Sequence, residues 1–253
     1  MWIALTGRII FAAGIMGLGA VCVVFGDFVN SLQPVPKWMP GYAPLALATG
    51  FFLVVAGASV MANVKTILAA TGLAVLLASW IVLLHVPSAF TDPILLRSPW
   101  WIRTFETLAL AGACLVVAGR ASAPVRERRV RAGRIMFGIS LPVFGILHFV
   151  YADNVASLVP DFYPWPLFLA YLTGAGHFAA GVAIASGTWV RLAATLAGCM
   201  YAVWALTLHL PRVLDHPPAY QGDRPELTSL FVCVAFWGAA WIVAGSSRRR
   251  TGW

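Results

Sequence analysis

Charge is scarce in this chain. Only 10% of its 253 residues are Asp, Glu, Lys or Arg, while 60% are hydrophobic, and the mean hydropathy is +0.84. A soluble domain carries about 25% charged residues. A chain this apolar would leave too much hydrophobic surface in water, so a soluble fold is excluded. The short alternating segments of a membrane β-barrel are missing too. Long runs such as TILAATGLAVLLASWIVLL (66–84) instead predict membrane-spanning helices with internally satisfied backbones. The four cysteines, Cys22, Cys114, Cys199 and Cys233, form no C-x-x-C pair. A redox or zinc motif is therefore unsupported and no metal site is expected; each reads as a small buried hydrophobe. No A-x-A site follows the first apolar run, and a valine precedes Cys22, so neither a secretory nor a lipoprotein signal is expected. Glycine-rich GIMGLGA (14–20) lacks the strand–turn–helix setting of a phosphate loop.

What charge there is has a pattern. The formal net charge is +8, but the arginines at 120, 126, 128, 129, 131 and 134 and those at 248–250 flank apolar runs. Membrane topology explains them better than nucleic acid, which is not expected as a partner. A crossing helix needs about 20 apolar residues. Spans are predicted near 8–29, 43–62, 66–86, 101–119, 133–152, 164–186, 190–210 and 227–246. With the N-terminus in the cytoplasm, the inner side holds twelve basic residues: Arg8, Lys65, the six from Arg120 to Arg134, Arg191, Arg248, Arg249 and Arg250. The outer side holds five: Lys37, Arg97, Arg103, Arg212 and Arg224. The positive-inside rule places both termini in the cytoplasm, with a bacterial inner membrane as the expected location. Eight of the nine acids, Asp27, Asp92, Glu106, Asp153, Asp161, Asp215, Asp223 and Glu226, then fall at or beyond outer helix ends, and only Glu127 lies inside. Acids contribute little to topology, so the outer face reads as the working face. Trp38, Trp100, Trp101, Trp165 and Trp189 sit near span ends as an aromatic belt.

The sequence repeats itself. GRIIF (7–11) returns as GRIMF (133–137), and the pairs Asp27/Asp153, Val29/Val155, Ser31/Ser157, Leu32/Leu158 and Pro34/Pro160 follow. LATGFFLVVAGA (47–58) resembles YLTGAGHFAAGV (171–182). LAATGLAVLLASWIVLLHVP (68–87) resembles LAATLAGCMYAVWALTLHLP (192–211), including His85/His209. Each unit has four spans, an even number, so the fold expected is an all-α polytopic membrane protein of eight helices built as two parallel four-helix repeats. They would be related by a pseudo-two-fold axis along the membrane normal. The units are residues 1–122 and 133–253. Residues 123–132 form a basic linker, read as a solvated cytoplasmic loop with attraction for anionic lipid heads.

The four-span unit, FGILHF leading to an aspartate and a proline, TGAGHFAAG, and RLAATLAG followed by LHLPRVL resemble the DoxX-like integral membrane proteins, in particular double-length bacterial members. DoxX relatives include the membrane subunits of a thiosulfate:quinone oxidoreductase. The resemblance implies a link to quinone chemistry for some relatives, with other membrane subunits as partners besides the lipid bilayer. It carries no agreed catalytic motif.

Ionisable groups in a bilayer are costly and point to function by default. His148, Tyr151 and Asp153 close the fifth span. Asp27 repeats Asp153, His209 repeats His85, and Glu106 lies in the outer part of the fourth span. These and His177 are the candidates for binding a polar head group or exchanging protons. A His–carboxylate hydrogen bond would fix the ring's tautomer. The competing account makes His85, His209 and His148 interface groups reaching headgroup water, and makes His177, among small residues, a hydrogen bond between helices. Haem held by His148 and His177 is disfavoured, because no spacing rule supports the pair; quinone is the cofactor to consider. The second repeat alone adds His148 and His177, where the first has Cys22 and Leu53. Three readings compete: an electron-transfer subunit or accessory, a structural subunit without chemistry of its own, and a small-molecule transporter. The last is weakened by the lack of a span broken at mid-depth by proline, Pro142 being the nearest.

Overall fold

The computed structural model describes residues 2–30, 32–91, 100–119, 123–215 and 225–247. Ser31, Asp92, Arg97, Arg120, Asp223, Arg224 and Arg248–Arg250 lie outside the described residues. Among those described there is no strand, and eight helices are long and apolar enough to cross a membrane. They are α1 (Trp2–Phe25), α2 (Tyr42–Ala62), α3 (Thr66–Trp80, prolonged by Ile81–His85 and Val86–Thr91), α4 (Trp100–Ala118), α5 (Ala123–Val150), α6 (Pro166–Ser186), α7 (Val190–Trp204, prolonged by Ala205–His209 and Leu210–Asp215) and α8 (Pro225–Ser246). The chain is a multi-pass membrane protein in contact with lipid.

Two boundaries differ from the sequence reading. α1 ends at Phe25, because Gly26 turns left-handed at φ 63°, so Asp27 lies beyond the helix. The basic stretch 123–132 is not a loop: it forms the first turns of the 28-residue α5. Arg and Glu are good helix formers, and the exposed charges there need no loop to reach water. Arg129 Nη1 also donates to the Ala118 carbonyl at 3.2 Å, satisfying an end of α4. Pro142 lies inside α5 without breaking it.

The segments matched in sequence share local backbone features. Left-handed residues precede α2 and α6 (Gly41, Trp165), follow them (Asn63, Gly187) and precede α3 and α7 (Lys65, Trp189). α3 and α7 each widen into one π-helical turn, Ile81–His85 and Ala205–His209, ending on a histidine.

Packing links the halves. Within each half the first two helices meet at paired glycines: a Cβ on Gly19 would lie 2.6 Å from the Gly50 oxygen, and one on Gly145 would lie 2.6 Å from the Gly174 oxygen. Between halves, α1 packs most extensively on α8, and α4 packs closely on α5. There a Cβ on Gly238 would lie 2.6 Å from the Gly7 oxygen, and one on Gly112 the same distance from the Gly133 oxygen. In lipid, helices associate through such close backbone approach rather than by escaping water. The result is one shared core, running from Phe11, Leu53 and Leu73 to Phe137, Leu141, Tyr201 and Phe236. α4 also touches α8 across the middle. α2, α3, α6 and α7 carry exposed apolar side chains, such as Phe51, Val75, Leu172 and Leu196, which suits a lipid-facing side.

Candidate functional site: an aromatic cleft in the second half

A cleft of about 350 Å³ opens among the N-terminal ends of α4 and α8, the C-terminal ends of α5 and α7, and α6. Glu106 enters from α4, His148 and Tyr151 from α5, His177 from α6, and Tyr201, Trp204 and His209 from α7; Thr228, Ser229 and Phe236 complete a wall from α8.

The rings hold one another. His148 stacks on Trp204 with centroids 5.5 Å apart and planes 13° apart, and touches His177 at 4.9 Å. His177 meets Phe144, Tyr201 and Trp204 at 5.9, 5.5 and 5.4 Å. It is buried and both its nitrogens are engaged. Nδ1–H donates to the Thr173 carbonyl at 3.0 Å, and Nε2 accepts from the Tyr201 hydroxyl at 3.0 Å. His148 Nδ1–H donates to the Phe144 carbonyl at 2.8 Å. In a neutral ring this leaves the Nε2 lone pair as an acceptor for the cleft. At the rim, His209 Nδ1 lies 3.5 Å from Glu226 Oε2, and Arg212 Nη1 lies 3.5 Å from Oε1 of the same carboxylate. Arg212 Nη2 also donates to the Leu158 carbonyl at 3.0 Å, and the Tyr163 hydroxyl to Thr207 Oγ1 at 3.2 Å. These bonds keep the loop after α5 at the lip of the cleft.

Of the residues singled out in the sequence, Glu106, His148, Tyr151, His177 and His209 meet here. Asp153 does not. The short helix Ala152–Ala156 leaves it exposed, and a backbone carbonyl, not a carboxylate, orients His148; Glu106 brings a carboxylate to the cleft. The pairing of His148 and His177 across a haem iron also fails on geometry. Their rings are in contact, and His177 Nε2 is occupied by Tyr201. Tyr201 and Trp204 were missed. Tyr201 had the same signal as His148 and His177, since the first repeat has Leu77 in its place.

The corresponding region of the first half is filled. Cys22, Leu53 and Leu77 stand where the second half has His148, His177 and Tyr201, Trp80 matches Trp204, and all four first-half residues are buried. The loop after α1 folds in, burying Val29, Leu32 and Gln33. His85 is fully buried beneath it. Its Nε2–H donates to the Leu32 carbonyl at 3.0 Å and lies 3.3 Å from Thr107 Oγ1, whose own proton goes to the Arg103 carbonyl at 2.8 Å. His85 is thus a structural ring that ties loop to helix, not a group of the cleft. Asp27 accepts from the Tyr42 hydroxyl and lies 3.9 Å from Lys37 Nζ, likewise apart from the cleft.

Comparison with known families bears on the half that holds the cleft. The DoxX family model matches residues 130–210, from within α5 to just past the π turn of α7. That stretch contains His148, Tyr151, His177, Tyr201, Trp204 and His209. No curated protein and no solved structure matched the chain.

Proposed function

We propose that this membrane protein, whose second half carries a DoxX domain, serves as a subunit or accessory of a quinone-linked electron-transfer system, and that the cleft receives the quinone or quinol head group. The observation that carries the reading is the combination of flat aromatic walls with hydrogen-bonding groups at the edge. His148, Trp204 and Phe236 offer ring faces and apolar surface to a planar ring. The Nε2 lone pair of His148 can accept from a quinol hydroxyl, and the Tyr151 hydroxyl can donate to a quinone carbonyl. Quinol oxidation sheds hydroxyl protons and an electron pair; the electrons would pass to a redox centre on another subunit. The chain's own part is to bind, orient and exchange protons at His148, with His209, Glu226 and Glu106 as further acceptors between the cleft and its rim. His177, held by both nitrogens, positions the ring stack and is not a proton carrier.

In this reading the two repeats, residues 1–122 and 133–253 joined by 123–132, are parallel about the membrane normal. Both termini are cytoplasmic in a bacterial inner membrane, and the cleft faces outward. The repeated left-handed turns, π turns and glycine contacts support the first point, and the basic asymmetry supports the second. The test is to purify the intact chain with its native lipids, quantify extracted quinones, and titrate the delipidated protein with a short-chain quinone. Enrichment over the bulk membrane and saturable binding are expected. Bulk-level quinone together with unsaturable binding would refute the proposal.

A further inference from the structure

The opposite end of the bundle holds a second, larger crevice of about 1400 Å³. Its walls are the ends of α1, α4, α5 and α8 and the turn between α6 and α7. Five arginines line it, Arg8, Arg126, Arg131, Arg134 and Arg191, against one acid, Glu127. The basic residues of one membrane face could owe their presence to topology alone. Topology, however, does not require them to converge from three helices, nor does it account for the state of Arg134.

Arg8 and Arg134 are the same residue of the repeat, the arginine of GRIIF and GRIMF. In the first half, Arg8 Nη1 donates to the side-chain oxygen of Asn63, the left-handed residue that ends α2. In the second half the corresponding residue is Gly187, left-handed at φ 86° and without a side chain. The Arg134 guanidinium lies against it: a Cβ on Gly187 would be 3.1 Å from Nη1 and 3.2 Å from Nη2. Arg134 is partly buried, and its Nε, like that of Arg8, is buried without a hydrogen-bond partner among the described residues. A buried charged donor left unmatched is costly. Among the described residues, the side-chain oxygen that Asn63 supplies to Arg8 Nη1 has no counterpart at position 187, where Gly187 stands beside Arg134.

We infer that the arginine crevice binds a phosphate oxyanion, whose oxygen takes at Arg134 the place that the Asn63 amide oxygen holds at Arg8. A guanidinium grips such a group with two parallel N–H bonds. Arg126, Arg131 and Arg191 are exposed along the same walls and would meet the remaining charge. The crevice far exceeds one phosphate in size. Its lining also includes Val116, Val117, Leu192 and the exposed Trp189, so an anionic phospholipid headgroup fits the chemistry as well as a free phosphate does.

The experiment uses the full-length delipidated protein. Retention of phosphatidylglycerol, phosphatidylcholine and inorganic phosphate is measured by native mass spectrometry and by the shift in thermal midpoint. Wild type should retain phosphatidylglycerol over phosphatidylcholine. Arg134→Gln should weaken that retention about tenfold, equivalent to about 1.4 kcal/mol. Gly187→Asn is the decisive variant, because it leaves every arginine in place and asparagine tolerates the left-handed backbone. It restores the internal acceptor and should weaken retention similarly while raising the ligand-free midpoint. Lys37→Gln, on the other end of the bundle, should change nothing. Binding of inorganic phosphate with the same variant pattern would support a free oxyanion as occupant; its failure to bind alongside phosphatidylglycerol would support the lipid. If Gly187→Asn and Arg134→Gln both retain phosphatidylglycerol and phosphate as wild type does, or if wild type retains neither, the inference is wrong. It does not depend on the quinone reading of the other cleft.

Discussion

Tyr201→Phe removes one oxygen and leaves the ring. The lost hydroxyl donates to His177 Nε2 at 3.0 Å, in a position where His177 is only 1% exposed. No cavity larger than that atom opens, so the cost is that of stranding a buried imidazole lone pair. Leaving a buried acceptor unmatched costs about 1–3 kcal/mol in general. Measured hydrogen bonds within membranes average about 0.6 and reach about 1.7 kcal/mol. Because Nδ1 is already committed to the Thr173 carbonyl, the ring cannot turn to compensate. About 1–2 kcal/mol is therefore expected, which is roughly 2–8 °C in thermal midpoint at this chain length. The first repeat indicates how to recover the loss. It carries Leu53 and Leu77 at these positions and buries both. His177→Leu combined with Tyr201→Phe removes donor and acceptor together, and such paired removal can be nearly neutral. The double variant should therefore melt within about 1–2 °C of wild type, yet bind a short-chain quinone more weakly because the ring stack beside His148 is lost. Thermal melts in detergent and quinone titration read the two effects separately. A Tyr201→Phe midpoint equal to wild type, or a double variant that melts below Tyr201→Phe, would refute the reasoning.

Further outcomes follow from the same geometry. His148→Ala should weaken quinone binding by about tenfold, through loss of one hydrogen bond and the Trp204 stack. Cys22→Ala should leave binding intact and cost about 1 kcal/mol of stability, as a small buried truncation does; titration and melts distinguish them. Asp153→Asn should change neither, because the side chain is exposed. Gly145→Ala should cost about 1–3 kcal/mol by forcing α5 from α6, whereas Gly176→Ala, whose Cβ would meet nothing closer than Met200 Sδ at 4.0 Å, should be nearly silent in melts. Reporter fusions after Arg250 should read cytoplasmic and those near Asp161 periplasmic; the reverse would overturn the proposed orientation.

The eight spans were legible because each is a run of about 20 apolar residues bounded by Gly, Pro or charge, the pattern lipid demands. The start of α5 was not, because polarity says where a segment is solvated and not whether it is helical. The matched segments are ordered along the chain, but sequence matching orders helices without saying which ones touch. The close packing of α1 on α8 and of α4 on α5 depends on the glycine faces at 7, 112, 133 and 238, which could equally have served contacts within a unit. At the cleft, His148, His177 and Glu106 stood out because ionisable groups are rare in spans. Asp153 belongs to a short helix that leaves it exposed and apart from the cleft, a placement that sequence alone does not give. Tyr201 and Trp204 were overlooked because aromatic residues in a membrane chain are common; Tyr201 differs from its counterpart Leu77, but Trp204 faces the same residue type at Trp80, so only the structure sets it in a cleft. His85 and His209 look identical in sequence, and the loop that buries one and leaves the other at a rim is a tertiary fact.

The most direct test of the central claim is to photolabel the purified chain with an azido-quinone and map the modified peptides. The account predicts labels on 144–155, 201–209 and 226–236, competed by unlabelled short-chain quinone and reduced in His148→Ala. Competable labelling confined to the first half, around Cys22, Leu53 and His85, or no competable labelling at all, would contradict it.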